Sequence, residues 1–348
     1  MPSQSKPIAE ATPLEDPVGF REALVSWFRE NGKSYPWRET TDPYAIVVSE
    51  LMLQQTQVAT VLERDYFGRW MLQFPDVRTL AVAPEAAILK AWEGLGYYRR
   101  ARNLQKLAQV VSEELGGEFP RNLEDVLALP GVGPYTAGAI LSFAFNKSVP
   151  LVDGNVHRVF ARLFDSHDVV DSTGGQKQMW AWAADLVSPD HARLYNSALM
   201  ELGQTICRQK SPKCRACPVS AFCQTRKPED LPKKTPRRKT VFQDEHVVFQ
   251  THDDQLLLIQ EQGTRRQGLW KLPPCPEDQT TKLSLIYKAK YSITHHRVTL
   301  HVYESQELSV AGCEWHPLKD IRELAMPSPY RKAVNQLIKD RQAFQLES

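Results

Sequence analysis

No stretch of the 348 residues reaches the roughly 18 consecutive apolar positions that a membrane span needs. The N-terminal run MPSQSKPIAEATPLEDP holds four prolines and no apolar core, so it lacks the plan of a secretory signal. Residues 1–18 read instead as a disordered leader. Cysteine is scarce and unevenly placed: four of six fall between Cys207 and Cys223. A disulfide framework would spread them out, so a ligand cluster is the better reading. Net charge is also low, +2. That mean conceals one basic segment, because Cys207 to Thr240 holds eleven Lys/Arg against two Asp/Glu. A polyanion-binding surface or a solvated linker would each account for it. Hydrophobic residues at 42% and charged residues at 24% are ordinary globular composition.

From Gly19 to about Gln224, β-alternation is nearly absent. Asp42-Pro43 pairs an N-cap with a proline at the first helical position, and opens a helix predicted over 44–62. Leu104, Leu107, Val111 and Leu115 recur at helical spacing and stop at Gly116-Gly117. Further helices are predicted over 123–129, 135–145, 156–164, 176–186 and 193–206. Residues 225–244, rich in Pro, Lys and Arg, read as a linker. Beyond it the period changes to two. Segments 246–250 and 256–260 flank Asp253-Asp254 as a hairpin, 287–293 and 298–303 read as strands, and a helix over 329–344 follows. The fold expected is a mainly α region over 19–224, then a small α+β domain over 245–345.

Four motifs carry chemistry. Cys207-x6-Cys214-x2-Cys217-x5-Cys223 can hold zinc or a four-iron cluster, and its wide gaps favour the cluster. In Leu129-Pro130-Gly131-Val132-Gly133-Pro134-Tyr135, two glycines permit a tight turn whose amides, with the next helix N-terminus, could meet a phosphate. Glu50 sits among Tyr44-Ala-Ile-Val-Val-Ser and Leu-Met-Leu. Desolvation there would keep it protonated near neutrality, as a general acid requires; the alternative is a solvent-facing position. Asp153, in Leu-Val-Asp-Gly-Asn-Val-His-Arg-Val, is either a plain N-cap or a carboxylate that stabilises a developing cation.

Ser49-Glu-Leu-Met-Leu-Gln-Gln-Thr-Gln-Val, Trp92-Glu-Gly-Leu-Gly-Tyr-Tyr and Leu151-Val-Asp-Gly-Asn-Val together resemble the MutY-type adenine DNA glycosylases. These belong to the helix–hairpin–helix, iron–sulfur superfamily. The resemblance implies two helical lobes with the hairpin and cluster loop, followed by a Nudix-like domain. It implies a monomeric, cytoplasmic, nucleoid-associated bacterial-type enzyme that removes adenine opposite 8-oxoguanine or guanine in double-stranded DNA, without a membrane partner. Glu50 would protonate adenine N7 and Asp153 would stabilise the oxocarbenium-like sugar, with Tyr135 and Asn155 beside them. Trp37 and Arg38 would help to line the adenine pocket, and Leu53 would also bind the substrate. Gln55 and Tyr97 would enter the duplex, while Gly131 and Gly133 would meet its backbone. Cys207, Cys214, Cys217 and Cys223 would hold one [4Fe-4S] cluster.

Tyr135 occupies the place of the lyase lysine of endonuclease III, so excision without strand cleavage is expected. The Nudix catalytic glutamates are missing after Gly268-Leu-Trp-Lys-Leu-Pro, which implies recognition without nucleotide hydrolysis. Two departures stand out. Too few residues separate Pro273 from Ile293 for a full helix, and the family's lesion-reading Phe-Ser-His appears as Ile293-Thr294-His295. Ser197 also stands where Gln or Glu is expected. An endonuclease III-like glycosylase/lyase and a non-catalytic iron–sulfur DNA-binding protein are the competing readings.

Overall fold

The computed structural model describes residues 12–236, 238–307 and 310–347, with side chains to 341. Two compact units emerge: residues 12–63, 74–78 and 106–236 form one, and 64–73, 79–105 and 238–347 the other. Among the described residues no helix is long and apolar enough to cross a membrane.

The first unit contains α1 (Pro17–Asn31), α2 (Pro43–Leu53), α3 (Val58–Glu63), α8 (Leu123–Ala128), α9 (Pro134–Ala139), α10 (Gly154–Leu163), α11 (Thr173–Leu186) and α12 (Ala192–Thr205). Helix starts follow their caps. The Asp42 carboxylate accepts from the Tyr44 and Ala45 amides, with Pro43 at the first helical position. α2 is buried from Tyr44 to Met52, the signature of a helix enclosed by protein on every side. A core of Phe20, Leu24, Leu151, Val156, Phe160, Met179, Tyr195, Leu199 and their neighbours joins α1, α10, α11 and α12.

Three expectations need correction. Residues 1–11 of the expected leader lie outside the described residues, but Leu14 is buried and α1 already begins at Pro17, capped by Asp16. The helix predicted over 44–62 is broken: α2 ends at Leu53, Gln55 takes a left-handed φ of 57°, and α3 starts at Val58. The basic stretch is not a free linker up to residue 236. Leu231 is buried, Lys233 bridges Val169, and Thr235 bonds Asp171 through its amide (2.8 Å) and hydroxyl (2.7 Å).

Among its described residues the second unit holds α4 (Tyr66–Gln73), α6 (Glu85–Ala91), a C-terminal helix α13 (Ser328–Glu347), and seven strands. Helices α5 (Val77–Val82) and α7 (Arg99–Glu113) are divided between the units. β1 (Val241–Phe249) pairs in parallel with β6 (His296–Glu304), which pairs antiparallel with β5 (Ser284–Ile293). β2 (Thr251–His252), β3 (Gln255–Gln260), β4 (Trp270–Lys271) and β7 (Cys313–Pro317) form the other sheet. Asp253 and Asp254 both have positive φ, as the anticipated two-residue hairpin requires. Tyr330, Ala333, Val334 and Leu337 of α13 share a core with Val247, Leu258, Leu300 and Val302 of the sheets. Only a short turn at 277–279 stands where a Nudix helix would lie. The fold is thus a helical N-terminal region with a small α+β C-terminal domain.

Candidate active site

In the first unit α2, α9, the turn before α10, and α12 converge on a cavity of about 820 Å³. Its lining includes Trp37, Arg38, Glu50, Leu53, Gln55, Tyr135, Asp153, Asn155 and Ser197. The side chains predicted for acid catalysis and for the base pocket thus reach one place.

Glu50 lies on the buried α2 and is only 4% exposed, so the solvent-facing alternative is excluded. The Tyr135 hydroxyl, one residue into α9, donates to Glu50 Oε2 at 2.6 Å. Burial pushes the Glu50 carboxyl up to about 7; the nearby Asp153 adds to the rise, while the Tyr135 donor and Arg38 oppose it. Burial and the two carboxylates raise the Tyr135 phenol well above its ordinary range, so the tyrosine remains a donor.

Asp153 caps α10, as its position before Gly154 suggests, but the cap is only part of its surroundings. Oδ1 accepts from the Asn155 and Val156 amides at 2.9 and 2.8 Å, and Oδ2 from Asn155 Nδ2 at 2.9 Å. Asn155 Oδ1 accepts in turn from Arg158 Nη2 (2.8 Å), while Arg158 also reaches the Gly203 and Cys207 carbonyls, each at 2.7 Å. The carboxylate is therefore oriented at its first and second neighbours.

On the opposite wall Trp37 stacks on Tyr35, with ring centroids 5.3 Å apart. The Arg38 guanidinium lies over Tyr35 and Phe28 and pairs with the fully buried Glu201 at 2.7 Å. Arg193 donates to the Arg38 and Thr40 carbonyls, fixing that segment. Arg158, Arg193 and Glu201 were not anticipated. Only Arg158 carries a signal in the sequence: it follows Asn155 by three residues on α10, the reach at which helical side chains meet.

Other expected site residues lie elsewhere. Exposed Gly131, at φ 75°, and Gly133, the N-cap of α9, form the turn that presents Tyr135. Tyr97, Thr294 and His295 belong to the second unit. Thr294 and His295 form the tip between β5 and β6, where Ile293 pairs with His296 and Thr294 has a φ of 53°.

Cys207, Cys217 and Cys223 border the core of the first unit, and Cys214 is exposed. Burial pushes the Cys217 thiol up to about 11, and the other three cysteines of the loop contribute. Fully buried Arg162 organises this loop, donating to the Arg208, Gln209 and Leu231 carbonyls. Among the described residues no three His, Cys, Asp or Glu side chains form a site for a single metal ion.

Residues 48–183 match the family model described as HhH-GPD superfamily base excision DNA repair protein. An adenine DNA glycosylase of Homo sapiens is 44% identical over 218 residues, covering 60% of this chain and 40% of that protein. An adenine DNA glycosylase of Buchnera aphidicola subsp. Schizaphis graminum is 29% identical over 344 residues, covering 90% and 97%. The solved structure of a thermostable thymine-DNA glycosylase aligns at 30% identity and a TM-score of 0.53, covering 60% of this chain and 96% of its own. The chain spans about two fifths of the length of the Homo sapiens, Mus musculus and Rattus norvegicus relatives.

Proposed function

We propose that this chain, which belongs to the HhH-GPD superfamily of base excision DNA repair proteins and groups there with the MutY-type glycosylases, excises adenine from DNA. The reaction is hydrolysis of the N-glycosidic bond, with adenine opposite 8-oxoguanine or guanine as substrate. The observation that carries this reading is a pair of carboxyl groups on one cavity with unequal surroundings. Glu50 is buried and raised to about 7; Asp153 accepts three hydrogen bonds.

Unequal carboxyls divide the work. Glu50 is half protonated near neutrality, and the Tyr135 hydroxyl on one oxygen leaves the acidic proton to the other. Delivered to adenine N7, that proton turns the departing base into a neutral molecule. Positive charge then develops on the sugar, where Asp153 can oppose or capture it, and water completes an abasic site. Adenine must first leave the stack. The cavity walls of Trp37, Arg38 and Leu53 suit a flat base with polar edges. Tyrosine at position 135 offers no amine for a Schiff base, so the strand stays uncut.

We assign the four loop cysteines to one [4Fe-4S] cluster on their spacing, Cys207-x6-Cys214-x2-Cys217-x5-Cys223, whose wide gaps fit a single zinc ion poorly. The cluster's contribution would be to tie down a basic loop facing DNA phosphates. Anaerobically purified protein should carry about four irons and absorb broadly in the visible; stoichiometric zinc from iron-replete cells would refute the assignment. We place the enzyme on chromosomal DNA in the cytoplasm, as a monomer.

The deciding experiment is a single-turnover assay on duplexes with A opposite 8-oxoguanine, A opposite guanine, and T opposite guanine. Adenine release that yields strand breaks only after hot alkali supports the reading. Release of thymine alone, or breaks without alkali, would overturn it.

A further inference from the structure

Tyr97 sits in a loop that its own sequence does not explain. The ring is half-exposed and the residue has a φ of 48°, a left-handed conformation that a bulky residue keeps only when its surroundings impose it. Part of that imposition is local. Trp92 Nε1 donates to the Gly96 carbonyl at 3.1 Å. Arg100 Nη2 donates to the Leu95 and Gly96 carbonyls at 2.9 and 3.0 Å, with its guanidinium over the Tyr97 ring. The rest comes from more than two hundred residues away in sequence. The Glu93 carboxylate takes Arg331 Nε on Oε1 at 2.7 Å and Arg331 Nη2 on Oε2 at 3.4 Å, and Lys90 at 2.7 Å. Two more guanidinium hydrogens of Arg331 go to the carbonyls of Ile321 (2.8 Å) and Leu324. Tyr98, immediately after Tyr97, donates its hydroxyl to the Met326 carbonyl at 3.4 Å, and Lys90 donates to that of Arg322. Both flanks of the Tyr97 loop are therefore held by residues 321–331, which lead into α13 and form its first turn, within one compact unit.

We infer that Arg331 is a positioning residue for Tyr97: the C-terminal domain sets the side chain that enters the duplex, in addition to any contact it makes with the lesion itself. The inference rests on the proposed adenine-excising function for the role of Tyr97. Glu93 and Arg331 are 14% and 15% exposed, and two oxygens face two nitrogens, so the pair fixes direction as well as charge. Loss of Arg331 leaves Glu93 with Lys90 alone and frees the Ile321 and Leu324 carbonyls, and the loop can relax out of its left-handed turn.

The test is a double-mutant cycle on the full-length protein with wild type, Arg331→Ala, Tyr97→Ala and the double variant. The probes are equilibrium binding to a duplex carrying non-hydrolysable 2′-fluoroadenosine opposite 8-oxoguanine, and 2-aminopurine fluorescence beside that mispair. Tyr97→Ala should weaken binding about 5- to 150-fold, the range for loss of one base–aromatic stack. Arg331→Ala should reproduce much of that loss, and the loss of 2-aminopurine signal, with Tyr97 present and add nothing once Tyr97 is alanine. Equal factors in both backgrounds, or no loss with Tyr97 present, would overturn the inference. Glu93→Gln replaces Arg331→Ala in the same cycle if the latter fails to fold. Adenine release by wild type on the hydrolysable duplex is scored separately, so failure of the proposed activity is distinguishable from failure of the clamp.

Discussion

Glu50 shows how much one buried carboxyl can reveal. Its apolar neighbours in sequence already suggested desolvation, and the resemblance set Tyr135, 85 positions away, beside it; the structure adds the hydrogen bond that the tyrosine donates. An amide cannot donate the proton, so Glu50→Gln should lower single-turnover excision by at least about 10²- to 10⁴-fold with mispair binding kept; a near-native rate would remove Glu50 from the acid role. The raised pKa also has a sign. Excision should fall as pH rises through about 7, because only the protonated form donates. Stability should follow the same direction. The folded-state value lies above the ordinary 4.5, so the contribution of neutral Glu50 is complete below about 4.5 and lost as pH rises through about 7. The loss amounts to about 3 kcal/mol at alkaline pH. Glu50→Gln, which carries no charge, should therefore melt higher than wild type at pH 8.5, with the difference vanishing near pH 4.5. Parallel melting curves across that range would show that burial does not disfavour the charged form.

At the scale of elements, sequence named residues that line one cavity but missed the breaks that shape it. Caps and periodicity placed the starts of α2 and α10 within a residue or two. They could not place the turn at Gln54–Thr56, because Gln55 in a left-handed conformation is set by tertiary surroundings and by no local propensity. That break ends α2 and brings Gln55 to the cavity wall. Likewise the helix expected over 135–145 is α-helical only to Ala139, and a π-helical turn follows over Ile140–Ala144. Such turns are frequent at functional sites. Gly133 and Pro134 open this short helix and deliver Tyr135 to Glu50, so the residue at 135 can change the reaction while the turn stays intact. Tyr135→Lys should introduce lyase activity, with borohydride trapping a covalent DNA adduct. An active, folded variant that traps no adduct would mean that this position alone does not suffice, because a Schiff-base lysine also needs a depressed pKa.

For the whole molecule, the domain boundary was the least legible feature, since it depends on contacts between residues far apart in the chain. Composition drew a line at residues 225–244, yet residues up to 236 dock on the first unit, and residues 79–105 hydrogen-bond with the C-terminal domain through Lys90, Glu93, Tyr98 and Arg102. The divergent tip at Ile293-Thr294-His295 lies in that same unit, between β5 and β6. Thr294 is a β-branched residue at positive φ, a costly choice for a plain turn and one that recurs where function holds the strain. If its hydroxyl and the His295 imidazole contact the opposing base, Thr294→Ala/His295→Ala should lose discrimination between 8-oxoguanine and guanine by about 1–3 kcal/mol per contact. Adenine chemistry at Glu50 and Asp153 should persist. Thr294→Gly separates the alternatives, because glycine relieves the turn while removing the hydroxyl: a mere turn residue predicts a more stable protein with discrimination unchanged. The measurement is the ratio of single-turnover rates and binding constants on the two duplexes. A ratio unmoved by either variant would leave lesion reading to Gln55 and to Tyr97, and the C-terminal domain would then act on the duplex chiefly through the loop that Arg331 holds.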